Sequence, residues 1–223
     1  MKQLWIVLVM ASVGACAVSD GDDNVVTSDR EQAITQLIGE KFDNLNVGNV
    51  DGQNGWVGNC NVVPDENTKT NKYLKCVGGT GATKLVGFHG AGSYTLLVDI
   101  GPNANVVNST HGKIAYDNGT ERAFQILVGC DNIRVAFQMS GPQAILASFP
   151  CGSLTGPPAY RVVCNWTTGG TVLSCGAARL PADPTVFTDL VVPSGIRPFD
   201  RVAISTFALP GASLFDKVYI WQN

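Results

Sequence analysis

An antiparallel β-sandwich is the fold that this sequence predicts, and three observations predict it. From Phe42 onward the chain carries short runs rich in Val, Ile, Leu, Phe and Tyr: YTLLVDIG, RAFQILVGC, NIRVAFQM, AILASF, YRVVCNW, GTVLSC, TVFTDLVV, DRVAIST and FDKVYIW. Each is bounded by Gly, Pro, Asn or Asp, which serve turn geometries and weaken strand ladders. Almost no helical spacing separates the runs, and close strands without crossover helices pair antiparallel and stack as two sheets. The composition suits one such domain: 223 residues, 45% hydrophobic, 15% charged, with a formal net charge of −3. A mildly acidic chain with few basic clusters offers no electrostatic footprint for nucleic acid.

The chain opens with a charged start, Lys2, an apolar run from Leu4 to Met10, and the small residues Ala11, Ser12, Gly14 and Ala15. This is the layout of a secretory leader, with an apolar stretch too short to remain as a membrane-spanning helix. The segment VGAC, Val13 to Cys16, resembles the lipobox of bacterial lipoproteins, with Val13 where leucine is commoner. The resemblance implies cleavage before Cys16 and acylation of its thiol, which would hold the protein to a membrane. Ala17, rather than aspartate, follows the cysteine, which by the same resemblance points to the outer membrane of a double-membrane cell envelope. The alternative is an ordinary signal peptide cut nearby, leaving Cys16 a thiol on a secreted chain. The expected layout is therefore a leader over 1–15, an acidic flexible tether over 16–33 and a sandwich over 34–223.

Within the tether, Asp20, Asp22, Asn24 and Glu31 fall at liganding positions of an EF-hand loop, but Val25 stands where the sharp turn needs glycine. A solvated spacer is the simpler reading. Ser28 and Glu31 form a capping-box pair ahead of Ala33, Ile34, Leu37 and Ile38, so that a short helix and a first strand both remain open there.

Seven cysteines leave one over in an oxidising compartment, and acylating Cys16 removes it. Six remain, with no C-x-x-C spacing for zinc or redox work. Cys164 and Cys175 bracket NWTTGGTVLS, which reads as a hairpin, and Cys60 and Cys76 bracket a polar loop. The expected bridges are Cys60 with Cys76, Cys130 with Cys151, and Cys164 with Cys175.

In YRVVCNW, alternation turns Tyr160, Val162, Cys164 and Trp166 one way; in DRVAIST it sets Val202 and Ile204 against Arg201, Ala203 and Ser205. Three stretches then carry a resemblance: FDNLNVGNVDGQNGWVG (Phe42 to Gly58), YRVVCNWTTGGTVLSC, and DRVAISTFALPGASLFDKVYIW. Together they resemble concanavalin A-like, laminin-G-like jelly-roll domains of bacterial surface proteins, over most of Phe42 to Trp221. Asn165 departs from the aspartate common in their hairpin. The resemblance implies a jelly-roll β-sandwich whose chain ends meet as neighbouring strands. It brings Asp43 and Asp216 near each other, where a structural Ca2+ or simple strand-edge pairing would account for them. Trp56 and Trp166 read as core. Tyr94, Tyr116 and Trp221 are the candidate ligand-stacking aromatics.

Catalytic residues are not legible. Glycoside hydrolysis by retention needs two carboxyl groups about 5 Å apart, and no E-x-D-x-x-E strand exists. Asp117 and Glu121 flank an Asn-Gly turn and signal a hairpin first. Arg134, Gln138, His89 and Tyr219 supply the residue types of alginate-lyase-type sites without a signature joining them. FHGAGSY around His89 has no G-x-S-x-G partner, and GGTGATK, Gly78 to Lys84, lacks phosphate-loop spacing and reads as a connection between strands. The expected function is a surface-tethered, non-catalytic domain recognising a polysaccharide or glycoconjugate. The alternatives are a structural or adhesive envelope lipoprotein making protein contacts, and a divergent glycan hydrolase or lyase. The first expects a groove lined with Trp, Tyr, Asn and Gln, the second a flat apolar patch.

Overall fold

A computed structural model describes residues 34–65, 68, 70–102, 110–118, 122–137, 141–150, 158–207 and 212–223. The leader, Cys16, the tether with its EF-hand-like acids, the Ser28–Glu31 pair, Glu121, Gln138 and Cys151 lie outside the described residues.

Sixteen strands and no helix make up the described chain. They are β1 (Thr35–Glu40), β2 (Gly48–Asn49), β3 (Trp56–Gly58), β4 (Asn61–Pro64), β5 (Lys72–Val77) and β6 (Gly81–His89). Then come β7 (Ser93–Pro102), β8 (Thr110–Asp117), β9 (Arg122–Gly129), β10 (Asn132–Ala136) and β11 (Gln143–Ser148). The last are β12 (Tyr160–Thr167), β13 (Val172–Arg179), β14 (Thr188–Val191), β15 (Phe199–Thr206) and β16 (Ala212–Gln222). All nine quoted runs contain strands. The segment left open between helix and strand is β1, because Ile38 is buried by pairing with β16 while Ile34 stays exposed.

Two antiparallel sheets stack as expected. One runs β14-β13-β12-β7-β16-β5-β4-β2, with β1 also pairing β16; the other runs β11-β10-β9-β8-β15-β6-β3. The long β16 serves two neighbours on one side, β5 with its first half and β1 with its second. The first and last described strands thus lie side by side, Glu40 opposite Val218.

Alternation decides what goes inside. Tyr160, Val162, Cys164 and Trp166 are buried, with Arg161, Val163, Asn165 and Thr167 on the other face of β12. Val202 and Ile204 are buried on β15 between less buried Arg201, Ala203 and Ser205. An aromatic group fills one part of the core. Trp166 lies 5.5 Å from Tyr94 and 4.8 Å from Phe124, Tyr116 lies 4.7 Å from Phe124, and Phe199 lies 5.2 Å from Tyr94. Rings at these separations take offset or edge-on contacts that add to the burial of their area.

Two expected bridges are present: Cys60–Cys76 joins the flanks of the β4–β5 hairpin, and Cys164–Cys175 joins directly opposed residues of β12 and β13. Cys130 is also disulfide-bonded; its expected partner lies outside the described residues. GGTGATK is only partly a connection. Gly78 and Gly79, at φ +51° and +80°, make the turn, and Gly81–Lys84 begins β6. The strands β5, β6 and β8 were not among the runs legible in the sequence.

Candidate functional site

The motif GQNGW shows how local chemistry fixes position. Gly52, Asn54 and Gly55 adopt φ of +75°, +47° and +77°, a left-handed turn that suits glycine and asparagine. It delivers Trp56 to β3 with its ring fully buried against Phe42, 5.7 Å away. Its indole N–H donates to Glu40 Oε2 at 3.0 Å, an acceptor shared with Asn54 Nδ2 and Lys84 Nζ. Trp56 is therefore a core residue.

Two of the three candidate stacking aromatics are core residues as well. Tyr94 is 1% exposed and Tyr116 is fully buried, so neither ring face is open to a sugar. They correct the expectation, and the reason is alternation: both sit on the strand face that carries Leu96 and Ile114 into the core. Burial raises the hydroxyl pKa of each.

Trp221 is different. It lies opposite Thr95 on β7, half-buried, on the outer face of the sheet that contains β16. Tyr219 is on the same face, its ring parallel to Trp221 within 3° and 5.3 Å away. Opposite Thr95 on its other side is Asn165 of β12. Thr95 Oγ1 donates to Asn165 Oδ1 at 2.8 Å and accepts from Asn223 Nδ2 at 3.0 Å. Ser93 and Thr167 join hydroxyls at 2.9 Å one step further along. Beside this row opens a cleft of about 420 Å3, lined by Ser93, Tyr94, Asn165, Trp166, Thr167, Gly170, Thr171, Val172 and Asn223. Its lining mixes hydroxyl and amide side chains with glycine, the exposed Val172 and two buried aromatics, Tyr94 and Trp166. Asn165, Thr95, Asn223 and the cleft were not singled out as ligand groups in the sequence; the signal was their shared parity with Trp221 across three paired strands.

The described residues do not supply a calcium site at Asp43 and Asp216. Ca2+ takes six to eight oxygens, and among the described residues no group of three carboxylate, histidine or cysteine side chains converges. Asp43 Oδ1 accepts from the Lys72 backbone N–H at 2.7 Å. The Lys72 ammonium donates to the carbonyls of Asp43 and Leu45 at 2.9 and 2.7 Å, so a built-in cation engages these oxygens. Asp216 Oδ1 accepts from the Lys217 backbone N–H at 2.8 Å, and burial pushes its carboxyl up to about 6.

The residue types of a lyase site are dispersed. His89 packs against Tyr94 and Phe199, with Nε2 3.0 Å from the Val86 carbonyl. Arg134 is on β10 of one sheet and Tyr219 on β16 of the other. Asp117 is engaged by Arg122 at 3.7 Å in the β8–β9 hairpin that its Asn-Gly turn signalled.

This architecture is that of the concanavalin A-like jelly roll, and solved structures of that fold are similar over most of the chain. The exoplasmic/lumenal domain of VIP36, in a metal-free form, matches at 10% identity and TM-score 0.52, covering 85% of this chain and 93% of that one. Lectin II from Ulex europaeus matches at 9% identity and TM-score 0.50, covering 85% and 100%. The binding domain of botulinum neurotoxin DC, in complex with rat synaptotagmin II, matches at 11% identity and TM-score 0.50, covering 83% of this chain and 48% of that one. No family model matches the sequence, and no curated protein matches it. At such identities the likeness carries the fold and nothing finer.

Proposed function

We propose that this chain is a non-catalytic binding domain for a polysaccharide or glycoconjugate, displayed on a bacterial cell surface by an acylated Cys16. The observation that carries the reading is the outer-face row Asn165–Thr95–Trp221 beside the cleft. An aromatic ring next to paired hydroxyl and amide groups is what a sugar requires: apolar C–H faces stack on the ring while hydroxyls exchange hydrogen bonds with the row. A rigid sheet holds these groups in place without ordering on binding. The row itself carries no charge, so neutral sugars are its natural ligands. The lectin structures of similar fold are consistent with this, as an analogy of architecture. Several acyl chains on Cys16 would release slowly, so binding would take place at a surface.

A second reading, a domain for protein contacts, is favoured by a different observation: Val172 and Val191, opposed across β13 and the edge strand β14, are exposed, as are Val186 and Phe187 in the segment leading into β14. Such patches mark contact surfaces when contiguous.

A glycan array on the purified chain, with and without a chelator, separates the two. Retention of neutral glycans supports the first reading, and the chelator arm reads whether that retention depends on a metal. Silence on every glycan supports the second, and release of free sugar would expose an enzyme.

A further inference from the structure

We propose that the cleft beside the Asn165–Thr95–Trp221 row receives the acetamido group of a 2-acetamido sugar, an N-acetylhexosamine unit. The inference rests on the neutral-sugar reading above and names the sugar class for that same site. The strand order β12-β7-β16 places Asn165 on one side of β7 and Asn223, just past the end of β16, on the other; both line the cleft. Thr95 lies between them on β7, opposite Asn165 on one side and Trp221 on the other.

A directed chain of hydrogen bonds orients both amides. Asn223 Nδ2 donates to Thr95 Oγ1 at 3.0 Å, and Thr95 Oγ1 donates to Asn165 Oδ1 at 2.8 Å. That direction uses the donor of one amide and the acceptor of the other. What remains is Asn165 Nδ2 as a donor on one wall and Asn223 Oδ1 as an acceptor on the other, neither of them hydrogen-bonded among the described residues. The C=O and N–H of a trans secondary amide point in opposite directions. An acetamido group between these walls therefore meets a donor with its oxygen and an acceptor with its N–H. A hydroxyl in its place has one oxygen and does not span the two.

The rest of the lining suits the methyl group. Val172 is 44% exposed at the cleft, and Tyr94 and Trp166 contribute aromatic surface. Trp166 also keeps a buried indole N–H with no partner, so that the lining holds a second donor without an acceptor, and a ligand carbonyl supplies acceptor capacity. No charged side chain lines the cleft, which favours a neutral substituent over a carboxylate or an ammonium group.

The test is saturation-transfer NMR on the full chain with two pairs of methyl glycosides, N-acetylglucosamine with glucose and N-acetylgalactosamine with galactose. Within each pair the sugars differ only at carbon 2, where acetamido replaces hydroxyl. At least one acetamido sugar should bind about tenfold or more tighter than its hydroxyl counterpart, with its acetyl methyl protons the most strongly saturated. Asn165→Asp keeps the acceptor for Thr95 and removes the Nδ2 donor, and it should abolish that preference. Equal affinity within both pairs would overturn the inference and leave the neutral-sugar reading standing. Absence of saturation in every sugar would overturn it as well, and the glycan array then decides the broader reading on its own. An acetyl methyl less saturated than the ring protons, or an unaltered preference in a folded Asn165→Asp, would equally contradict it. The comparison within each pair needs no variant and stands even where the substitution impairs folding.

Discussion

Glu40 and Trp56 sit on different sheets and are joined by an indole N–H···Oε2 hydrogen bond of 3.0 Å, in a site where the carboxylate is 3% exposed and the ring is fully buried. The same oxygen pairs with Lys84 Nζ at 3.1 Å. Replacing Glu40 with Leu leaves a largely buried ammonium and a fully buried indole donor without their acceptor. The expected loss is about 3 kcal/mol, since breaking one partner of a buried pair leaves the other uncompensated. Urea unfolding of Glu40→Leu checks it, and Glu40→Gln, which keeps an acceptor for the indole, should lose less.

Cys164 and Cys175 face each other within the core of the β12–β13 pair, eleven residues apart in sequence. Removing the cross-link frees the unfolded chain of a closed loop. The Cys164→Ser, Cys175→Ser double variant should lose about 2–4 kcal/mol, seen as a lower denaturation midpoint.

Asp216 is held at about 6 by burial first, opposed by the Lys217 backbone N–H and ammonium, with Asp99 and Asp43 adding to the rise. An elevated carboxyl favours the folded state below the unfolded pKa near 4, and that contribution is lost as pH rises through about 6. Asp216→Asn keeps an acceptor for the Lys217 N–H and removes the buried charge. It should stabilise the protein at pH 8 by up to about 3 kcal/mol and give no advantage at pH 4. Thermal unfolding at the two pH values reads the difference directly.

Trp221 is half-buried at the surface of β16, so its truncation removes a stacking face at modest cost to the fold. Trp221→Ala should weaken retention of a neutral glycan by about tenfold or more, in line with the cost of losing an aromatic anchor. Its melting temperature should shift by only a few degrees.

The architecture was legible wherever hydrophobic alternation was strong. The YRVVCNW run told its two faces apart from the sequence, and Trp166 is core as its parity required. The hairpin bridges followed from short closed loops. The strand β6 was hidden because Gly81, Thr83, Lys84 and Gly87 break the apolar pattern; Lys84 is drawn in by Glu40, a partner 44 residues away. Site residues were less legible for a related reason. Tyr94, Tyr116 and Trp221 look alike as aromatics in strands, and only the register of β7, β8 and β16 assigns the first two to the core and the third to the outer face. The Asn165–Thr95–Asn223 row spans well over a hundred residues of sequence and exists only once β12, β7 and β16 are side by side. Beside Asp43, a contact no motif flagged is made by Lys72, whose ammonium donates to the carbonyls of Asp43 and Leu45.

Hydrogen exchange on the chain with a glycan retained on the array tests the central claim most directly. Binding at the outer-face row should slow exchange in 93–95, 163–167 and 219–223 while the amides of β8 and β9 keep their free-state rates. Slowing confined to other strands would place the neutral sugar elsewhere and contradict the account, as would a chain that no neutral glycan protects.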